Sequence, residues 1–256
     1  MSYSVQVLQI GRQELLGACI YYMERFDVWE RFIFTMVVVR GGGKTIVINS
    51  GLPKDLSVLD PYWCKWPGER KIEVSREEEP LNALKRVGVD PKKVDYLIIT
   101  PLVYYATNNI DLFPKAQICL LKRGWVDFHA PAHRCLDEMR PLCIPDTILM
   151  HLVTDAWSRV RLLEDEDTVL PGIKTFFAGV HHRSSMAVCI ETSKGPAIYS
   201  DSFFTFRNVE ENVPVGYVEN LEEAFLTYER VRKQAKLVIP AFDPEIFERY
   251  PGGVVA

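Results

Sequence analysis

The sequence has no C-x-x-C pair, no apolar run long enough to span a membrane, and no basic leader followed by an apolar stretch. The first absence excludes a zinc knuckle. The six cysteines, Cys19, Cys64, Cys119, Cys135, Cys143 and Cys189, are scattered, which favours free thiols in a reducing cytoplasm over a disulfide framework. The other two absences predict neither a membrane span nor a signal peptide. Excess positive charge is also missing. A net charge of −4 and a pI near 5.8 exclude the electrostatic footprint of a nucleic-acid or anionic-membrane partner. Internal repeats and low-complexity segments are absent as well. What remains is 256 residues, 48% hydrophobic and 25% charged, a globular balance expected to form one domain over 1–256.

The first half is rich in strands. VQVLQIG, FIFTMVVVR and KTIVIN are β-branched runs, and Gly41-Gly42-Gly43 between the last two predicts a hairpin. Asn49-Ser50-Gly51 supplies turn chemistry after it. PYWCKWPGERK is read as an irregular loop, its Trp63 and Trp66 either an interface anchor or a cover over the core edge. A helix is predicted over about 79–87, with Pro80 in its first turn and Gly88 at its end. DYLIIT and AQICLLK read as strands, and residues 122–160 as helix and loop interrupted by Pro131, Pro141 and Pro145.

In the second half IKTFFAG, SMAVCIET and AIYS read as strands, with Ser193-Lys194-Gly195 a tight turn. Asn220 and Glu223 make a capping-box-like start to a helix whose buried face is Leu221, Ala224, Phe225, Tyr228, Val231 and Ala235. LVIP is a final short strand. Strands, helix and strand, twice over, predict two sheets packed together with helices outside.

Between DYLIIT and the next strand stands PLVYYA, at the mouth of a strand where side chains usually carry chemistry. The segments around it resemble those of the metallo-β-lactamase fold hydrolases, in their N-acyl-homoserine lactonase-like branch. RGGGKTIVINSG is similar to the early strand that usually ends in Asp-Thr-Gly, and LKRVGVDPKKVDYLIIT to the helix and strand before the metal motif. ATNNIDLFPKAQI resembles the continuation Ala-Gly-Asn-Leu-Asp-Leu-Phe-Pro. GVHHRSSMAVCIETSKGPAIYSDSFFTFRN resembles the segments of the third histidine and the bridging aspartate, and VIPAFDPEIFERYP the final Pro-Gly-His-Asp-Pro segment. The resemblance implies a four-layer αββα sandwich, two mixed sheets flanked by helices.

It also implies where metal ligands would stand. The His-x-His-x-Asp-His motif follows Thr100, so its ligand positions fall on Pro101, Val103, Tyr105 and Ala106. The next histidine falls on His181, or on His182 if the register moves by one; the bridging carboxylate falls on Asp201 and the last histidine on Phe242. The family's tyrosine after the bridging aspartate is Phe204, and the early-strand aspartate is Asn49. Catalytic zinc needs about three protein ligands and a water. A tyrosine with a pKa of about 10 is a poor donor at neutral pH. The degenerate motif therefore predicts no metal and no other cofactor. It points to a non-catalytic pseudoenzyme acting as a scaffold or regulatory subunit, in a homo-oligomer or paired with an active paralogue of the same fold. The alternative is a metal-independent hydrolase of a lactone, amide or ester, with His181, His182, Asp201 and Tyr105 as acid–base groups. A partly filled cavity is also expected to take a small-molecule ligand.

Each candidate has a plainer reading. His181 and His182 read as strand-end histidines, one packed and one solvated, and Asp201 either pairs with His181 or caps a turn. His129 and His133 are four apart, but Pro131 lies between them and disfavours a shared metal on one helix. Glu77-Glu78-Glu79 and Glu164-Asp165-Glu166-Asp167 read as solvated acidic runs, and Cys189 as an inert thiol in a strand.

Overall fold

Alternating burial along Ser4–Leu16 makes β1, which pairs antiparallel with β2 (Trp29–Gly41) from Ser4 opposite Arg40 to Leu16 opposite Trp29. The structure is a computed structural model that describes residues 2–59, 70–132, 140 and 142–256. β1 runs well past the predicted VQVLQIG, because a bulge between Gln9 and Gly11 lets the strand turn without ending. Packing is tight at that bulge: a Cβ on Gly11 would sit 2.6 Å from Leu52 Cδ1, so a larger residue requires that side chain to shift. The predicted glycine hairpin joins β2 to β3 (Lys44–Ile48).

From β3 the chain continues through β4 (Tyr96–Ile99), β5 (Gln117–Leu121) and β6 (Val160–Leu163), which pair in parallel, so the first sheet runs β1-β2-β3-β4-β5-β6. The second sheet runs β11-β10-β9-β8-β7, from β7 (Glu166–Leu170), β8 (Ile173–Phe177), β9 (Met186–Thr192), β10 (Gly195–Ser200) and β11 (Leu237–Pro240). Its β10–β11 pair is parallel and the others are antiparallel. Two mixed sheets with flanking helices are the architecture expected, and one contiguous apolar core draws on both. The predicted helix near 79–87 spans Pro80–Arg86, ending at Gly88 with φ of 70°.

Several expectations are corrected. β6 and β7 lie past the stretch read as helix and loop and are not among the predicted strands; the acidic run there is largely exposed, with its carboxylates ion-paired. Arg123 forks onto Asp165, Arg161 reaches Asp167 at 2.7 Å, and Lys122 reaches Glu164 at 2.6 Å. Glu78 is buried, not solvated. It accepts from Gln9 Nε2 at 2.6 Å and from the Ser75 amide at 2.7 Å. In the helix Leu221–Gln234, Asn220 Oδ1 accepts from the Glu223 amide at 3.1 Å, but the Glu223 carboxylate turns to Arg183, so the box is half-formed. Phe225 is 44% exposed, and Thr227 takes the inner face by donating to the Ala178 carbonyl at 2.8 Å. Trp63, Trp66 and His133 lie outside the described residues; His129, which is described, is exposed.

Candidate functional site

The strand ends that an α/β layered fold offers for chemistry converge here as well. Asn49 closes β3 in the left-handed region, φ of 66°, which asparagine tolerates better than most residues. Its Oδ1 accepts from the Thr100 amide at 2.9 Å and its Nδ2 donates to Tyr199 Oη at 3.1 Å. Asn49 thus clamps the ends of β3 and β4 to β10 across the two sheets. At the end of β10, Asp201 is fully buried. Ser185 Oγ donates to it at 2.6 Å and Thr100 Oγ1 lies at 3.3 Å. Burial pushes its carboxyl up to about 6, although His182 and the Ser185 and Thr100 hydroxyls act to lower it.

The segment after Thr100 folds into one short helical turn, Tyr104–Thr107, and its substituted positions do different work. Pro101 is buried, and Ala106 is buried with its carbonyl accepting from the Ser50 amide and hydroxyl at 2.8 and 2.7 Å. Val103 and Tyr105 form cavity wall. Tyr105 is only 8% exposed, and its hydroxyl has no hydrogen-bond partner among the described residues. Burial, then the nearby Asp201 charge, drives its pKa well above the ordinary phenol value, so it stays protonated. Such a hydroxyl costs stability. Tyr105→Phe is expected to raise stability by about 1 kcal/mol, read as a higher denaturant midpoint; a loss of similar size would mean that the hydroxyl has a partner.

Around Tyr105 lies an aromatic cluster that takes in two of the expected ligand positions, Tyr105 and Phe242. Phe242 stacks on Phe32 with centroids 4.5 Å apart and meets Tyr105 and Phe204 edge-on at 5.2 and 5.1 Å. Phe34 joins at 5.9 Å from both Tyr105 and Phe242. Edge-to-face rings at these separations attract beyond the area they bury. The backbone fixes Phe242: its amide donates to the Phe204 carbonyl at 3.1 Å and its carbonyl accepts from the Ile33 amide at 3.1 Å. Phe32 and Phe34 were absent from the sequence-based site. Their signal was the alternation in FIFT, which puts both rings on one face of β2.

His181 lies edge-on against Phe204 at 4.8 Å. Its Nδ1 is 2.7 Å from the Tyr217 carbonyl, so Nδ1 carries the proton and Nε2 is the acceptor. Burial and the neighbouring His182 push its pKa well below the usual histidine range, and the ring is neutral. Of the two readings of Asp201, the pair with His181 does not form: Asp201 accepts from Ser185 and Thr100, and His181 Nδ1 donates to the Tyr217 carbonyl. His182 stands 3.7 Å from Glu219, in a cluster where Arg183 bridges Glu219 at 3.2 Å and forks onto Glu223. Burial would raise Glu219, but His182 and Arg183 outweigh it and hold the carboxyl below its ordinary range. Among the described residues, these elements line an open pocket of about 780 Å³, with the aromatic residues in its wall and Asp127, Arg140, His182, Arg183 and Glu219 among its polar lining.

With this geometry in view, the relatives are informative. No family model matches the chain. An N-acyl homoserine lactonase of Bacillus thuringiensis is 25% identical over 173 residues, 66% of this chain and 63% of that protein, so the match spans under two thirds of the relative. Among solved structures, an N-acyl homoserine lactone hydrolase with N-hexanoyl-L-homoserine at its catalytic metal center superposes with a TM-score of 0.79, at 18% identity, over 97% of both chains. A probable metal-dependent hydrolase from Staphylococcus aureus gives a TM-score of 0.74 at 16% identity, over 94% of this chain and 90% of that one. The chain has the metallo-β-lactamase fold. Its relatives by sequence and structure include N-acyl homoserine lactonases.

The residues at the expected metal positions do not fit a metal. Pro101, Val103, Ala106 and Phe242 offer no side-chain donor, and Tyr105 is held as a phenol. Asp201 takes hydroxyl hydrogen bonds, and among the described residues no group of three or more His, Cys, Asp and Glu side chains is gathered for an ion.

Proposed function

We propose that this chain is a pseudoenzyme of the metallo-β-lactamase fold, one that binds a small molecule in the remodelled pocket without hydrolysing it and acts as a regulatory subunit. The observation that carries this reading is the packed ring of Tyr105, Phe204 and Phe242 at positions where the relatives' resemblance implies ligands and a substrate-orienting hydroxyl. Exchanging buried polar groups for packed apolar ones preserves a fold while removing its chemistry. The cavity of about 780 Å³ is of ligand size and apolar, which supports retained binding. Metal-independent hydrolysis has less support, because no hydrogen bond joins His181 to Asp201: Asp201 accepts from Ser185 and Thr100, and His181 Nδ1 donates to the Tyr217 carbonyl.

The test is a panel of lactones, esters and amides assayed with chelator and again with added zinc, beside a thermal-shift screen of small metabolites. No turnover in either condition, with a rise in Tm for some compounds, is the expected result. Turnover abolished by His181→Ala would overturn it. Action on a paralogue is part of the same proposal. Strictly monomeric behaviour on size-exclusion chromatography beside each metal-competent homologue would remove that part.

A further inference from the structure

His181 sets a polar group in the aromatic wall, edge-on to Phe204 at 4.8 Å, and its orientation is fixed. The Tyr217 carbonyl takes the Nδ1 proton at 2.7 Å, which makes Nε2 a standing acceptor. No described residue donates to Nε2, and the ring that bears it lines the cavity. An acceptor of this kind pairs with a hydrogen-bond donor and rejects a ligand that brings only lone pairs, since two acceptors would then face each other in an apolar site. The neighbouring surfaces, Phe204, Phe242, Phe34 and Tyr217, favour a planar aromatic body packed edge to face. The buried Asp201 carboxylate behind Tyr105 disfavours an anionic head at the same end.

We infer that the pocket selects neutral phenols, an aromatic ring carrying a hydroxyl that donates to His181 Nε2. This rests on the reading of the pocket as a binding site and adds its chemical class. The recognition needs no metal: the O–H hydrogen bond forms without proton transfer, and no bond in the ligand breaks.

Three matched probes test it, with affinities measured by fluorescence titration and calorimetry: 2-naphthol, its methyl ether 2-methoxynaphthalene, and 2-naphthylmethylammonium. The wild-type chain is expected to bind 2-naphthol about tenfold more tightly than the ether, the size of one well-placed hydrogen bond. In His181→Phe the preference should vanish, through loss of naphthol affinity and a gain for the ether once no lone pair opposes its oxygen. A readout independent of any variant is the ¹⁵N resonance of His181 Nε2, which should move upfield in the naphthol complex and stay in place in the ether complex. Equal affinity for naphthol and ether, a preference that survives His181→Phe, a stationary resonance, or tighter binding of the ammonium would overturn the inference while leaving the pocket a binding site. Binding of none of the three would overturn the pocket reading itself.

Discussion

Phe242→Ala is expected to destabilise the protein by about 3–5 kcal/mol, the largest effect of any single change at the site. The side chain is 3% exposed and touches four other rings, Phe32, Phe34, Tyr105 and Phe204. Truncation opens a hole that the surrounding strand ends cannot close, since hydrogen bonds to Phe204 and Ile33 hold the backbone in place. Phe242→His is the more telling companion. It restores the residue type that the family resemblance implies here, yet it buries an imidazole among rings. A loss of about 1–3 kcal/mol is expected, from an unpartnered polar group. Urea denaturation of both variants checks this. A histidine variant as stable as wild type and further stabilised by zinc would mean that the cavity still works as a metal site.

The second large effect concerns pH. Burial raises Asp201 to about 6, whereas the unfolded chain titrates near the ordinary ~3.9. From about pH 4 to pH 6 the unfolded state therefore binds fewer protons than the folded state at this position, and this residue's contribution falls as pH rises. It is fully present below about pH 4 and lost above about pH 6, a change of about 3 kcal/mol. Asp201→Asn removes the ionisation while keeping an oxygen to accept from Ser185 Oγ. The variant is expected to exceed wild type by about 2–3 kcal/mol at neutral pH and to converge with it near pH 4. Stability measured by denaturation across this range decides the matter. A wild type that gains on the variant as pH rises would show Asp201 to be a stabilised carboxylate.

Much of this molecule could be read from sequence where the local pattern and the final environment agree. The glycine hairpin between β2 and β3, the Pro80 helix and the Asn220 cap have local causes, and all are present. β7 escaped because it is an edge strand that opens on three polar residues, Glu166, Asp167 and Thr168, so its acidic start read as a solvated run. β1 was shortened because a glycine normally ends a strand, and here it forms a bulge. Phe225 was assigned to the core by helical spacing alone, but tertiary packing rotates the buried face onto Thr227.

At the site, candidate positions could be named residue by residue because the segments that carry the family resemblance flank them. Their partners were not. Phe32 and Phe34 come from a strand far away in sequence, and the carbonyl that orients His181 belongs to the backbone of Tyr217, which no side-chain pattern reveals. The sequence left Asp201 open between an acid–base pair with His181 and a turn cap. Ser185, Thr100 and the Tyr217 carbonyl claim their hydrogen bonds instead.

Metal analysis of the purified protein, before and after dialysis against zinc, tests the central claim most directly. Packed rings at positions expected to hold ligands predict substoichiometric zinc, iron and manganese in both samples and an unchanged Tm. A full equivalent or more of tightly held metal, lost together with stability on Asp201→Ala or His181→Ala, would contradict it.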